Sequence, residues 1–95
     1  MRLQPREINA IRKVVHSFDS NAEVYLFGSR SDDTARGGDI DLLVISNAID
    51  FRKMLRLKLG LQDELGEQQI DLITRRPDEM NKAFSTMAME TGVRL

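Results

Sequence analysis

The sequence predicts a small α/β (α+β) domain in which a short sheet packs against helices. Three observations predict it. Apolar residues recur at helical spacing in Ile8, Ile11, Val15 and Phe18, with Val14 beside them. Short runs rich in β-branched and aromatic residues occur at Glu23 to Phe27, Asp39 to Ile45 and Gln69 to Thr74. Turn chemistry separates these segments, as at Asp19-Ser20-Asn21.

Pro5 opens the first helix, because a proline in the first turn lacks only an N–H that has no partner there. Glu23 to Phe27 follows as a strand. Ser31 to Gly38 is polar apart from Ala35 and forms a loop, or one helical turn plus a loop. Asp39 to Ile45 is the strongest strand. After Asp41 it is apolar on both faces, Leu43 and Ile45 on one and Leu42 and Val44 on the other, which suits a central position. Asn47 is the expected cap of the next helix, with Asp50 at its third position. That helix runs to about Leu65, and Gly66 terminates it. Gln69 to Thr74 is the third strand. Pro77 or Asp78 opens a last helix with Met80, Phe84 and Met87 on one side as core, joined by Met54; Gly92 ends it. The expected order is α-β-β-α-β-α, with 1–95 as one domain.

Composition narrows the function classes. Fourteen basic residues against fifteen acidic ones give a net charge of -1, which disfavours direct nucleic-acid binding. Aromatic residues make up 5% of the chain and Trp is absent, which counts against a stacking platform for single strands. Without cysteine there are no disulfides and no thiolate metal sites. No apolar run approaches the ~20 residues of a membrane span, and the N-terminus has no apolar signal region. A cytoplasmic protein is expected.

The chemistry concentrates in two places. Asp39 and Asp41 stand two apart on one strand, so they share a face with alpha carbons ~6.6 Å apart. Asp71 sits inside the third strand between Ile70 and Leu72. If the second and third strands are neighbours, Asp71 comes within ~5 Å strand spacing of that pair. Two carboxylates ~4 Å apart repel by ~4 kcal/mol at an effective dielectric of ~20, a cost that a cation removes. Solvated turn acids are the plain alternative for Asp39 alone. Hard oxygen donors without cysteine favour Mg²⁺ or Mn²⁺ over zinc. The second place is Gly28-Ser29, where a strand ends in a turn whose exposed N–H groups can hold an anion. Arg30 and Arg36 can add charge to phosphate oxygens, or they are exposed loop arginines. A Gly-Ser pair alone is an ordinary turn; it gains meaning from the acidic strand nine residues further on.

Leu26-Phe27-Gly28-Ser29, a nine-residue spacer, Asp39-Ile40-Asp41 and Ile70-Asp71-Leu72-Ile73 together resemble the DNA polymerase β-type nucleotidyltransferase superfamily, and in it the minimal nucleotidyltransferase branch. The resemblance covers nearly the whole chain. It departs in a spacer one residue shorter than in some antitoxin members and in Gly38, where many members carry Ser. It implies a short mixed sheet packed against helices. By this resemblance Asp39 and Asp41 would ligate two Mg²⁺ ions, and Asp71 would help bind the catalytic metal and act as base. Gly28 and Ser29 would hold the β- and γ-phosphates of ATP, with Arg30 beside them. The implied reaction moves AMP from ATP to an acceptor hydroxyl. The branch also implies a HEPN-domain ribonuclease toxin as partner, modified on a tyrosine, in a hetero-complex or oligomer. The competing expectation is a non-catalytic antitoxin that neutralises its partner by contact.

Among the smaller features, His16 reads as a partly exposed helix residue. Lys58 is surrounded on a helical wheel by Leu65, Phe51 and Leu55, and either snorkels past the apolar face or reaches a phosphate or partner. Arg75 and Arg76 read as solvated loop charges, with contact to substrate or partner as the alternative.

Overall fold

In the computed structural model the described residues are 3–27, 40–66 and 68–95. Their order is α1 (Pro5–Phe18), β1 (Glu23–Phe27), β2 (Ile40–Ile45), α2 (Phe51–Leu65), β3 (Ile70–Arg75), a single 3₁₀ turn (Pro77–Glu79), α3 (Lys82–Thr91) and β4 (Val93–Arg94). The strands form one mixed sheet in the order β3-β2-β1-β4. β2 pairs antiparallel with β1 and parallel with β3. A parallel pair needs a crossover, and α2 supplies it.

The alternating pattern of the strands sorts side chains onto two faces. Val24, Leu26, Ile40, Leu42, Val44 and Ile70 join the main core, beneath α1 and α2. α1 contributes Ile11 and Val15, and α2 contributes Leu57, Leu61 and Leu65. The helices approach closely at Gly60, where an added Cβ would lie 3.0 Å from Val14 Cγ1. The other face carries a smaller cluster of Tyr25, Leu43 and Ile45, with Phe27 and Met80 against it. β2 is apolar on both faces and central, as its composition predicts.

Local chemistry fixes the ends of the elements. Gln4 and Glu7 close a capping box at α1, with Gln4 N–H donating to Glu7 Oε1 at 3.0 Å. Gly66 ends α2 at φ 79°, ψ -147°, a region open essentially to glycine alone. Three expectations change. The cap of α2 is Asp50, not Asn47: its carboxylate accepts from Lys53 N–H at 2.8 Å. The last helix does not start at Pro77; a 3₁₀ turn intervenes, and Met80 lies between the two helical segments. Met54 packs on the α1/α2 core whereas Met80 packs on the opposite face, and Met87 is exposed, so they form no common core. Phe84 lies outside the described side chains. Val93–Arg94, too short to classify from sequence, is an edge strand on β1, with Leu95 N–H donating to Val24 O at 2.9 Å.

Candidate active site

Asp41 and Asp71 come together through strand register. In the parallel ladder Asp41 stands directly opposite Asp71, as Ile40 stands opposite Ile70 and Leu42 opposite Leu72. Directly opposed residues lie one strand spacing apart, about 4.8 Å, and point to the same face. That face is the one carrying Leu43 and Ile45, away from α1 and α2. Asp41 is half-buried and Asp71 is exposed. On the other side of β2, Asp41 is opposite Phe27, the residue that precedes Gly28.

The two carboxylates border a cleft of about 370 Å³. Phe27, Leu43, Ile73, Met87 and Thr91 complete much of its lining, so the acids stand over an apolar floor. Such a floor lowers the local dielectric, which strengthens both the repulsion between the carboxylates and their attraction for a cation. A larger cavity of about 620 Å³ lies at the edge of the sheet between the start of α2 and the end of β3, but no opposed carboxylates enter it. The acidic cleft is the candidate site.

Of the residues singled out in the sequence, the structure brings Asp41 and Asp71 together. Asp39, Gly28, Ser29, Arg30 and Arg36 lie outside the described residues. Among the described residues, no three of His, Cys, Asp or Glu are grouped to hold a metal ion. Two of the three expected carboxylates are therefore in hand. Their hard oxygens, on adjacent strands, suit Mg²⁺ in kind. The apolar lining was not read from the sequence as part of a site. Its signal was present in the period of two: Leu43 is two residues from Asp41, and Ile73 two from Asp71.

The remaining candidates have structural positions. His16 donates from Nε2 to Ala22 O at 3.2 Å, tying the end of α1 to the entry of β1. Arg76 pairs with Asp78 at 3.1 Å, and this partner raises its already high pKa. Arg75 is exposed at the end of β3, donating to Thr74 O at 2.8 Å. Lys58 is half-buried, with Leu65 buried and Phe51 and Leu55 exposed.

The fold and site define a small mixed α/β domain whose two parallel strands oppose a pair of carboxylates near their starts. The match to known sequences is more specific. The family model described as polymerase beta, nucleotidyltransferase, matches residues 9–95, and the chain belongs to that family. It is a nucleotidyltransferase. No curated protein matches the sequence. Among solved structures, a chain of the MntA–HepT toxin–antitoxin crystal structure is 20% identical, with a TM-score of 0.67, covering 96% of this chain and 70% of that one. A toxin–antitoxin structure with AMP-PNP is 25% identical, with a TM-score of 0.68, covering 90% and 69%. No described helix is long and apolar enough to cross a membrane.

Proposed function

We propose that this chain transfers AMP from ATP to a hydroxyl of a partner protein, a tyrosine of a HEPN-domain ribonuclease toxin, and so acts as its antitoxin in the cytoplasm. The observation that carries this reading is the in-register opposition of Asp41 and Asp71 in a chain of the nucleotidyltransferase family. The likeness to toxin–antitoxin structures, one of them with AMP-PNP, supports the choice of adenine nucleotide and of partner.

In this reading Asp39, Asp41 and Asp71 would hold Mg²⁺, which would neutralise phosphate charge and activate the attacking oxygen. Gly28, Ser29 and Arg30 hold the β- and γ-phosphates. The acceptor oxygen attacks the α-phosphorus, and a new O–P bond forms. The bond to the β-bridging oxygen breaks in line and pyrophosphate leaves. The hydroxyl proton passes to the Asp71 carboxylate, which is exposed and can release it to water. The apolar floor of Phe27, Leu43 and Met87 suits an aromatic acceptor side chain.

The test uses ATP labelled at the α-phosphate, Mg²⁺, the purified chain and a purified HEPN-domain protein, the product of the neighbouring gene where that gene encodes one. Label on a tyrosine of that protein is expected, with loss of about 10² or more in rate for Asp41→Asn and Asp71→Asn. Tight complex formation without label, unchanged in both variants, would replace the enzyme reading with the non-catalytic one.

A further inference from the structure

α2 carries two apolar stripes, and the fold uses one. Leu57, Leu61 and Leu65 recur every four residues and are 0–9% exposed. Phe51, Leu55 and Leu59 recur with the same spacing and are 71%, 46% and 70% exposed. This second stripe runs for about 12 Å at ~1.5 Å per residue. At ~100° per residue, Arg52 and Arg56 border it on one side and Lys58 on the other. None of these three is ion-paired among the described residues. From Phe51 to Gln62 the helix has no acid; the first on the arginine side is Asp63, one turn beyond Leu59, and the carboxylate of Asp50 is engaged as the cap. Over that span a chain of net charge -1 therefore presents the most exposed apolar ridge among its described residues inside a cationic frame.

The ridge is continuous with the acidic cleft. Phe51 and Met54 line the cavity of about 620 Å³ together with Leu72 and Ile73 of the edge strand β3. Ile73 is 47% exposed and also lines the cleft of Asp41 and Asp71. Phe51, Leu72 and Ile73 thus carry apolar contacts from the ridge over the sheet edge to the carboxylates, through a cavity that Arg75, Arg76 and Glu79 also line. A macromolecular acceptor must be held while its hydroxyl reacts, and binding energy from remote contacts can do that.

We propose that the Phe51–Leu55–Leu59 ridge docks an acidic amphipathic helix of the protein that receives the nucleotide. This rests on the reading that the acceptor is a protein. A ridge at i, i+4, i+8 packs into the groove of a second helix. Three unpaired cations along its borders select a partner whose apolar stripe is flanked by Asp and Glu.

The experiment uses the full chain and two fluorescein-labelled amphipathic helical peptides of about twenty residues. They share a Leu/Ile stripe, flanked by Glu in one and by Lys in the other. Fluorescence anisotropy is expected to show the Glu peptide binding at least about tenfold more tightly, with affinity falling as NaCl rises. Phe51→Glu and Leu59→Glu, folded by circular dichroism, are expected to weaken it about tenfold or more. In the transfer assay Leu59→Glu raises KM for the protein acceptor and leaves kcat at saturating acceptor unchanged. Equal binding of both peptides, or binding indifferent to the two substitutions, overturns the proposal. So does preferential adsorption of the chain to phosphatidylglycerol vesicles, or self-association that Leu59→Glu abolishes. Peptide discrimination without any nucleotide transfer faults the transfer reading alone, and the reverse pattern faults the docking surface alone.

Discussion

Ser46→Ala is the most informative stability substitution, because Ser46 is a buried polar residue at the end of the strand that carries Asp41. Its Oγ–H donates to Asp19 Oδ2 at 2.5 Å, and its Oγ accepts from Ala48 N–H at 2.9 Å. Asp19 is the C-terminal cap residue of α1, so this contact joins the end of a helix to the end of β2. A hydrogen bond to a carboxylate contributes about 1.5–3 kcal/mol, and a neutral one about 1. Asp19 is half-exposed and water can replace the lost donor, so the net loss is about 2 kcal/mol at pH 7. For a chain of this length that lowers Tm by about 10 °C. The pH dependence is more diagnostic than the size. Bonding from Ser46, then from Asn21 N–H, holds the Asp19 pKa below its ordinary value of 3.8. A depressed carboxylate stabilises the fold above its unfolded pKa, and that stability is lost as pH falls through the folded value. The stability difference between wild type and Ser46→Ala, measured by urea unfolding, should hold from pH 7 to about 5 and shrink below about 4. A difference of the same size at pH 7 and pH 3 would refute this account of the contact.

Two further substitutions isolate single causes. Gly66→Ala should cost about 1–3 kcal/mol in urea unfolding although the new Cβ meets nothing within 4 Å, since the whole cost is the positive-φ backbone. Leu61→Ala should cost about 2–5 kcal/mol and Leu59→Ala less than about 0.5, measured side by side by thermal unfolding, since the first is 0% and the second 70% exposed on one helix.

What could be read in the sequence was whatever a local pattern controls. The continuous apolar run Leu42–Ile45 identifies β2 as a strand buried on both faces, and Pro5, Gly66 and the Asp19-Ser20-Asn21 turn mark ends that the structure keeps. The errors fall where one local signal competes with another. Asn47 and Asp50 are both good caps, and the choice went to Asp50 because Phe51 is the first residue whose backbone enters the helix. Met80 continues a helical pattern on paper, yet it leaves the helix to pack with Tyr25, Leu43 and Ile45 on the second sheet face. Apolar spacing alone does not distinguish the Leu57–Leu61–Leu65 stripe from the Phe51–Leu55–Leu59 stripe, since both recur every four residues. Only the position of α1 and the sheet decides which is covered, and that is long-range information. The same holds for Val93–Arg94, whose strand character comes from β1.

The acid pair is the instructive case, because neither strand alone determines it. Alternation puts Asp41 on one face of β2 and Asp71 on one face of β3, but the offset between the strands is a separate variable. The apolar side of the sheet sets it. Ile40 is 0% exposed and Ile70 1%, and they stand opposite each other under the helices. A slip of one residue would turn Asp71 into that core and Ile70 out to water. Burying an unpaired carboxylate would cost several kcal/mol, on top of the ~1.5–3 kcal/mol lost by exposing an isoleucine. A slip of two would keep the faces right but move Asp71 ~6.6 Å along the strand, and would set Ile40 against Leu72 in place of Ile70. The crossover helix resists that as well, since Leu65 packs in the same core as Ile70 and Gly66 fixes where α2 stops. Packing on the face away from the cleft therefore holds the two carboxylates in opposition, against their mutual repulsion, with no bond between them required.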